Sequence, residues 1–302
     1  RRGGSYVRFH CGTMGAGHGH SDKMHIDLFS NGEDILLDAG RFTYVAKPER
    51  YEFKDCTAHN TTTVDGENFT VCKDSWECSK LTCPVNFTCN QKGGYQFVQG
   101  GHLGYQFKGV FINRKLIVLQ EDLLLLCDEF YANAGHTYQQ YLHFNSEGVV
   151  SRQQDSFRYH SKLNDVETCL LAPDCESSII PTRISRHYNE TEANQTIKTE
   201  VSGEGFTSLF TIISINKPNG FIPLQVKKVP VASNFKGIVF PPSLIEAVNI
   251  SKGEASYTVV IAHQEWASPT DTFNADGCIG FGNVVVFDRT KGEEVSGTRL
   301  HS

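Results

Sequence analysis

"MHIDLFSNGEDILLDAG", residues 24–40, decides the fold class. In an extended chain Met24, Ile26 and Leu28 fall on one face and His25, Asp27 and Phe29 on the other. Asn31-Gly32 then marks a two-residue hairpin turn, whose I′ geometry needs positive φ at both positions. Ile35 to Leu37 begin the return strand. Asp38 stands near its end, just before Gly40.

Outward from this hairpin the same signals recur. "HNTTTVDGENF" is a β-branched run ending in Asp65-Gly66. "INRKLIVLQEDLLLLCDEF" (112–130) reads as two strands joined by a tight polar turn near Gln120–Asp122. "SLFTIISIN", "ASYTVVIAHQ" and "GNVVVFD" continue the pattern. Helical periodicity over ten or more residues is absent, and Gly- and Asn-rich turns return at short intervals. The expected fold is all-β: a large antiparallel two-layer β-sandwich, occupying residues 1–302 as one domain. The polar stretch from about Asn189 to Glu204 reads as an exposed loop or strand edge.

The chain has 302 residues, enough for a substantial core. Its formal net charge of -6 argues against broad electrostatic binding to nucleic acid. No stretch approaches the roughly 20 apolar residues of a membrane-spanning helix. The chain starts at Arg1, and we read it as a piece of something longer or a mature product. Of its ten cysteines, Cys72, Cys78, Cys83 and Cys89 cluster in "VCKDSWECSKLTCPVNFTCN". Their spacing is not that of a zinc ribbon, and it suits either disulfides in an exported protein or free thiols elsewhere. The N-x-[ST] sequons at Asn68, Asn86, Asn189, Asn194 and Asn249 matter only in a eukaryotic secretory setting, so the compartment stays open.

Chemistry concentrates upstream of the hairpin, in His18-Gly19-His20. In an extended segment, residues two apart project to one face, so both imidazoles could reach one cavity. Folding back at Asn31-Gly32 would carry Asp38 to His20, and His59 opens the following strand. Two histidines and an aspartate from neighbouring strands suit a first-row divalent metal, zinc above others. The competing readings are a turn-capping Asp38 and a surface His59.

"GHGHSDKMHIDLFSNGEDILLDAGRFTY" followed by "YEFKDCTAHNTTTVDG" resembles the β-sandwich of the heparinase II/III-like polysaccharide lyases. In that family a His-x-His-[AS]-D segment, a V/L-D-x-G strand end and an A-H-N-T-x-x-V-D-G segment occur in this order, here within residues 11–66. The likeness continues more loosely through "YQQYLHF" to about residue 150. The resemblance implies that His18 is the catalytic histidine and that His20, Asp38 and His59 hold a metal, usually zinc, which shapes the site. Gly19 lets the two histidines diverge. Arg50 and Asn60 are weaker candidates for substrate contact, and Tyr44 reads as a packed aromatic.

The implied reaction is β-elimination at a uronic acid in an acidic, glycosaminoglycan-like polysaccharide. The family's tyrosine base and carboxylate-neutralising residue come from an N-terminal α/α-toroid domain that these 302 residues do not contain. That toroid is the expected partner domain, and the chain by itself is expected to hold half an active site. Two other functions stay open: a uronyl C5-epimerase on the same scaffold, and a non-catalytic carbohydrate-binding sandwich.

Overall fold

A computed structural model describes residues 4–15, 17–264, 272–290, 292 and 295–302. Among these, strands dominate; the helices are α1 (Pro48–Glu52) and two single 3-10 turns, Cys56–Ala58 and Gln106–Lys108. The all-β expectation holds. The chain folds as two compact units. One takes Arg1–Thr88, Val98–Leu116 and Glu121–Gly220, the other Cys89–Phe97, Ile117–Gln120 and Phe221–Ser302.

The first unit carries every candidate site residue. β1 (Tyr6–His10), β2 (His25–Ser30) and β3 (Glu33–Leu36) form a small antiparallel sheet. The turn between β2 and β3 is the expected one, with φ of 52° at Asn31 and 88° at Gly32. Met24, Ile26 and Leu28 are all buried, as the alternation required.

Two larger sheets follow. One has eight strands in the order Val149–Arg152, Ser156–His160, Asp165–Leu171, Phe206–Asn216, Leu123–Ala132, Val110–Gln120, Tyr95–His102 and Pro84–Lys92. The other has four: Glu176–Ile184, Glu192–Gly203, His136–His143 and β4 (Thr62–Val64). Phe130 of the first stacks on Tyr138 of the second at 4.2 Å between ring centroids, inside a core that also takes Met24, Val64, Ile112, Val201 and Leu209. This is the face-to-face packing of a sandwich.

One expectation is overturned. Residues 192–203, read as a loop or edge, form a twelve-residue strand paired on both sides. Polarity misled the reading because its buried threonines find partners inside. Thr196 is fully buried and its hydroxyl lies 2.8 Å from His143 Nδ1, while Thr182 Oγ1 sits 2.6 Å from it on the other side. Buried polar groups with such partners cost little.

In the second unit, a five-stranded antiparallel sheet runs Leu224–Val229, Ile245–Lys252, Ala255–Ala262, Val284–Asp288 and Ser296–His301. Its buried face includes Val260, Val285 and Phe287, clustered with Phe273 from a small three-stranded sheet.

Candidate functional site

The His18-Gly19-His20 segment is not extended: residues 17 and 18 form a turn, and the two imidazoles diverge. A Cβ on Gly19 would lie 2.2 Å from the Met14 carbonyl oxygen, so only glycine lets the chain pass. His18 is exposed, with Nδ1 3.1 Å from Tyr44 Oη. Its ring also meets Trp76 edge-on at 5.5 Å. His20 turns the other way, its ring 5.3 Å from that of His59. Beside them the chain is clipped where His10 Nδ1 meets Asp22 Oδ2 at 2.8 Å.

β3 ends at Leu36, so Asp38 stands in the loop beyond it. There Oδ1 accepts the Gly40 amide at 2.7 Å, and Oδ2 lies 2.9 Å from His59 Nδ1. His20, Asp38 and His59 each offer one donor atom, and the three atoms lie within 4.8 Å of one another. Asp38 is thus both a turn cap and a member of this cluster. His59 is fully buried rather than on the surface, and its Nε2 has no hydrogen-bond partner. Burial, then the neighbouring His59, lower the His20 imidazole to about 3, so it is neutral near neutral pH. Burial opposes ionisation of both remaining members. Even so, the charge and hydrogen bond of Asp38 raise His59, and His59 in turn holds the Asp38 carboxyl well below the usual carboxylate range.

Beneath this cluster lies a floor of crossing hydrogen bonds. Asn60 is fully buried. Its side-chain amide donates to the Ile26 and Leu37 carbonyls at 2.8 and 3.2 Å, its side-chain oxygen accepts the His143 amide at 2.6 Å, and its own amide donates to His25 Nδ1 at 2.9 Å. Asn60 therefore departs from the expectation of substrate contact: every polar atom of its side chain is engaged with the framework. Arg114 completes the floor. Its guanidinium forks onto Asp128 at 2.6 and 2.9 Å, while Nη1 donates to the Met24 and Asn60 carbonyls at 2.7 and 2.6 Å.

Over the other side lies a short hairpin, Val71–Cys72 paired with Cys78–Ser79. Its tip carries Ser75 and Trp76. Trp76 stacks on Tyr44 at 5.3 Å and 14°. The Ser75 carbonyl accepts from Lys54 Nζ at 3.3 Å and Arg50 Nη2 at 3.5 Å. Both cations are buried beneath it. Arg50, placed by α1, also reaches His20 Nε2 at 3.4 Å and faces the Tyr44 ring at 5.2 Å.

The structure thus brings His18, His20, Asp38, His59 and Arg50 into one neighbourhood and puts Asn60 under it. Tyr44 packs as expected, yet its hydroxyl also meets His18. Sequence reasoning missed Trp76, Lys54 and Arg114. For Arg114 the signal was a charge inside an apolar strand, whereas nothing in the "KDSWE" turn foretold that it folds back over the site.

The Heparinase II/III-like C-terminal family model matches residues 1–232. No curated protein sequence matches the chain significantly. Among solved structures, the heparan sulfate lyase HepC from Pedobacter heparinus is similar with a TM-score of 0.71 at 14% identity, covering 87% of this chain and 40% of that one. A heparinase III is similar with a TM-score of 0.64 at 17% identity, covering 83% and 37%. The chain therefore spans about two-fifths of the length of these structures, and at such identity the likeness speaks for the fold. With the family model matching well over half of its length and the sandwich shared with heparinase structures, this chain belongs to the heparinase II/III-like family, as its C-terminal domain.

Proposed function

We propose that the chain is the β-sandwich part of a polysaccharide lyase that cleaves uronate-containing polymers by β-elimination, with His18 moving a proton. The observation that carries this is an exposed imidazole bonded to a tyrosine hydroxyl beside a cluster of three donors, His59 buried and His20 and Asp38 half-buried. β-Elimination removes the proton at C5 of the uronate, expels the 4-O-linked sugar and leaves a C4–C5 double bond. If His18 Nδ1–H donates to Tyr44, Nε2 carries a lone pair and can accept a proton. If Tyr44 donates to Nδ1, Nε2–H can deliver one to the leaving oxygen. Imidazole, with an ordinary pKa of about 6.5, suits either step near neutral pH, and a positioned acid or base contributes about 10²–10⁴-fold. Arg50, buried beneath the Ser75 carbonyl, is proposed to add a substrate contact where that hairpin lifts, whereas Asn60 holds the floor in register; the group that neutralises the uronate carboxylate is assigned to the partner domain. The remaining acid–base groups are assigned to an N-terminal α/α-toroid, the proposed partner domain.

We assign His20, Asp38 and His59 to a divalent cation, zinc foremost, because nitrogen and carboxylate donors at this spacing suit it. The orphaned, buried Nε2 of His59 and the neutral His20 fit that role. A bound ion would supply a fixed positive charge that holds these side chains in one arrangement.

The test uses the full-length protein on heparan sulfate, chondroitin, hyaluronan and alginate, following ultraviolet absorbance of the unsaturated uronate. His18→Ala should lower turnover by about 10² or more without changing thermal stability; an unchanged rate would remove His18 from the chemistry. Solvent deuterium at C5 without cleavage would mark an epimerase instead. His20→Ala should lower zinc content and thermal midpoint together, and zinc content equal to that of the wild type would end the ligand assignment.

A further inference from the structure

Cys72 and Cys78 face each other as directly paired residues of the hairpin that covers Arg50 and Lys54, with their sulfur atoms 3.3 Å apart. The Lys73 amide donates to the Glu77 carbonyl at 2.9 Å, one step nearer the tip. The cysteines therefore occupy the next, non-hydrogen-bonded pair, where Cα atoms of antiparallel strands approach to roughly 4.5 Å. That lies within the range of about 4.4–6.8 Å that a disulfide requires. The tip is already organised without the bond, because Asp74 Oδ1 accepts the Trp76 and Glu77 amides at 2.7 Å each. Both thiols are partly exposed, so a small reagent can reach them.

We propose that Cys72 and Cys78 form a disulfide that clips the Val71–Ser79 hairpin shut, fixing Trp76 against Tyr44 and the Ser75 carbonyl over Arg50 and Lys54. The oxidant is a low-molecular-weight disulfide of the glutathione class. One cysteine thiolate attacks it, forming a mixed disulfide and expelling one glutathione thiolate. The second cysteine thiolate then attacks the mixed disulfide, forming the Cys72–Cys78 bond and expelling a second glutathione thiolate. The two protons given up by the cysteines end on the two released thiols, and the two electrons reduce the oxidant. With the clip closed, the roof stays over two cations able to bind an anion. Reduced, the hairpin is held by its local hydrogen bonds and side-chain contacts, and opens more readily.

The full-length protein, equilibrated over a series of glutathione redox buffers, is alkylated and mapped before and after reduction. In oxidising buffers, trypsin cutting after Lys73 should leave two fragments joined until reductant is added, each pair lighter by two hydrogens than its reduced parts. Lysine acylation should label Lys54 about fivefold less in the oxidised protein than in the reduced one. Cys72→Ser/Cys78→Ser should label Lys54 like the reduced wild type in every buffer. Alkylation of both cysteines across the whole series, or their pairing with Cys83 or Cys89, would overturn the clip. Equal Lys54 labelling in oxidised and reduced wild type would overturn the roof. None of these readouts involves polysaccharide turnover, so they stand or fall separately from the lyase reading.

Discussion

The floor and the roof of the site are built on opposite plans. The floor joins chain segments far apart in sequence through buried, fully engaged groups: Arg114 alone ties Asp128, Met24 and Asn60. Over the roof, most bonds close within a few residues, such as those from Asp74 to Trp76 and Glu77, and its reach toward Arg50 and Lys54 rests on one carbonyl at 3.3–3.5 Å. Removing a floor group leaves a buried charge or amide unpaired, whereas removing a roof group leaves water to take its place. The floor anchors the chain next to His59 through Asn60, whereas the roof packs Trp76 on the His18 ring and covers the cations beside it.

That contrast can be broken in three ways. Arg114→Met should cost about 3–5 kcal/mol of stability in denaturant unfolding, since Asp128 is left buried without its cation, keeping only the Gln140 amide; a loss below about 1 kcal/mol would show that the floor is not the rigid part. An intermediate effect comes from acid. Burial first, then Lys23 and Arg114, lower His102 to about 3; burial first, then His59, lower His143 likewise to about 3. Unfolded histidine titrates near 6.5, so between about 6.5 and 3 the unfolded chain binds more protons. Stability therefore falls as pH drops through that window, by up to about 1.4 kcal/mol per unit for each histidine. A thermal midpoint independent of pH there would contradict it. Trp76→Ala should be the smallest, within about 0.5 kcal/mol in unfolding, yet it should move the NMR signals of the His18 ring. A loss above about 2 kcal/mol would place the hairpin in the core.

Much of this was legible in the sequence where the signal is local. The Asn31-Gly32 turn, the alternation through Ile26 and Leu28, and the two-residue link after Gln120 each depend on neighbours along the chain. So did the nearness of Asp38 to His20 and His59, which follows once the hairpin folds back. What escaped depends on partners distant in sequence. Thr196 looks solvent-facing until His143 and Thr182 are beside it. Asn60 looks like a substrate contact until four backbone and ring groups from three segments converge on it. Trp76 looks like a loop residue until its turn is laid over Tyr44.

The guanidinium of Arg114 also bears on the order of folding. Its carbonyl partners lie 90 and 54 residues away, and its carboxylate partner 14. The fork onto Asp128 can form with the hairpin that carries both residues, early and locally. Its remaining bonds wait for chain closures that contribute little until the large sheet exists. The neighbourhood of His20, Asp38 and His59 is therefore a late product of folding, and a slow phase seen by a probe at His18 should trail the one seen at the Leu123–Ala132 strand.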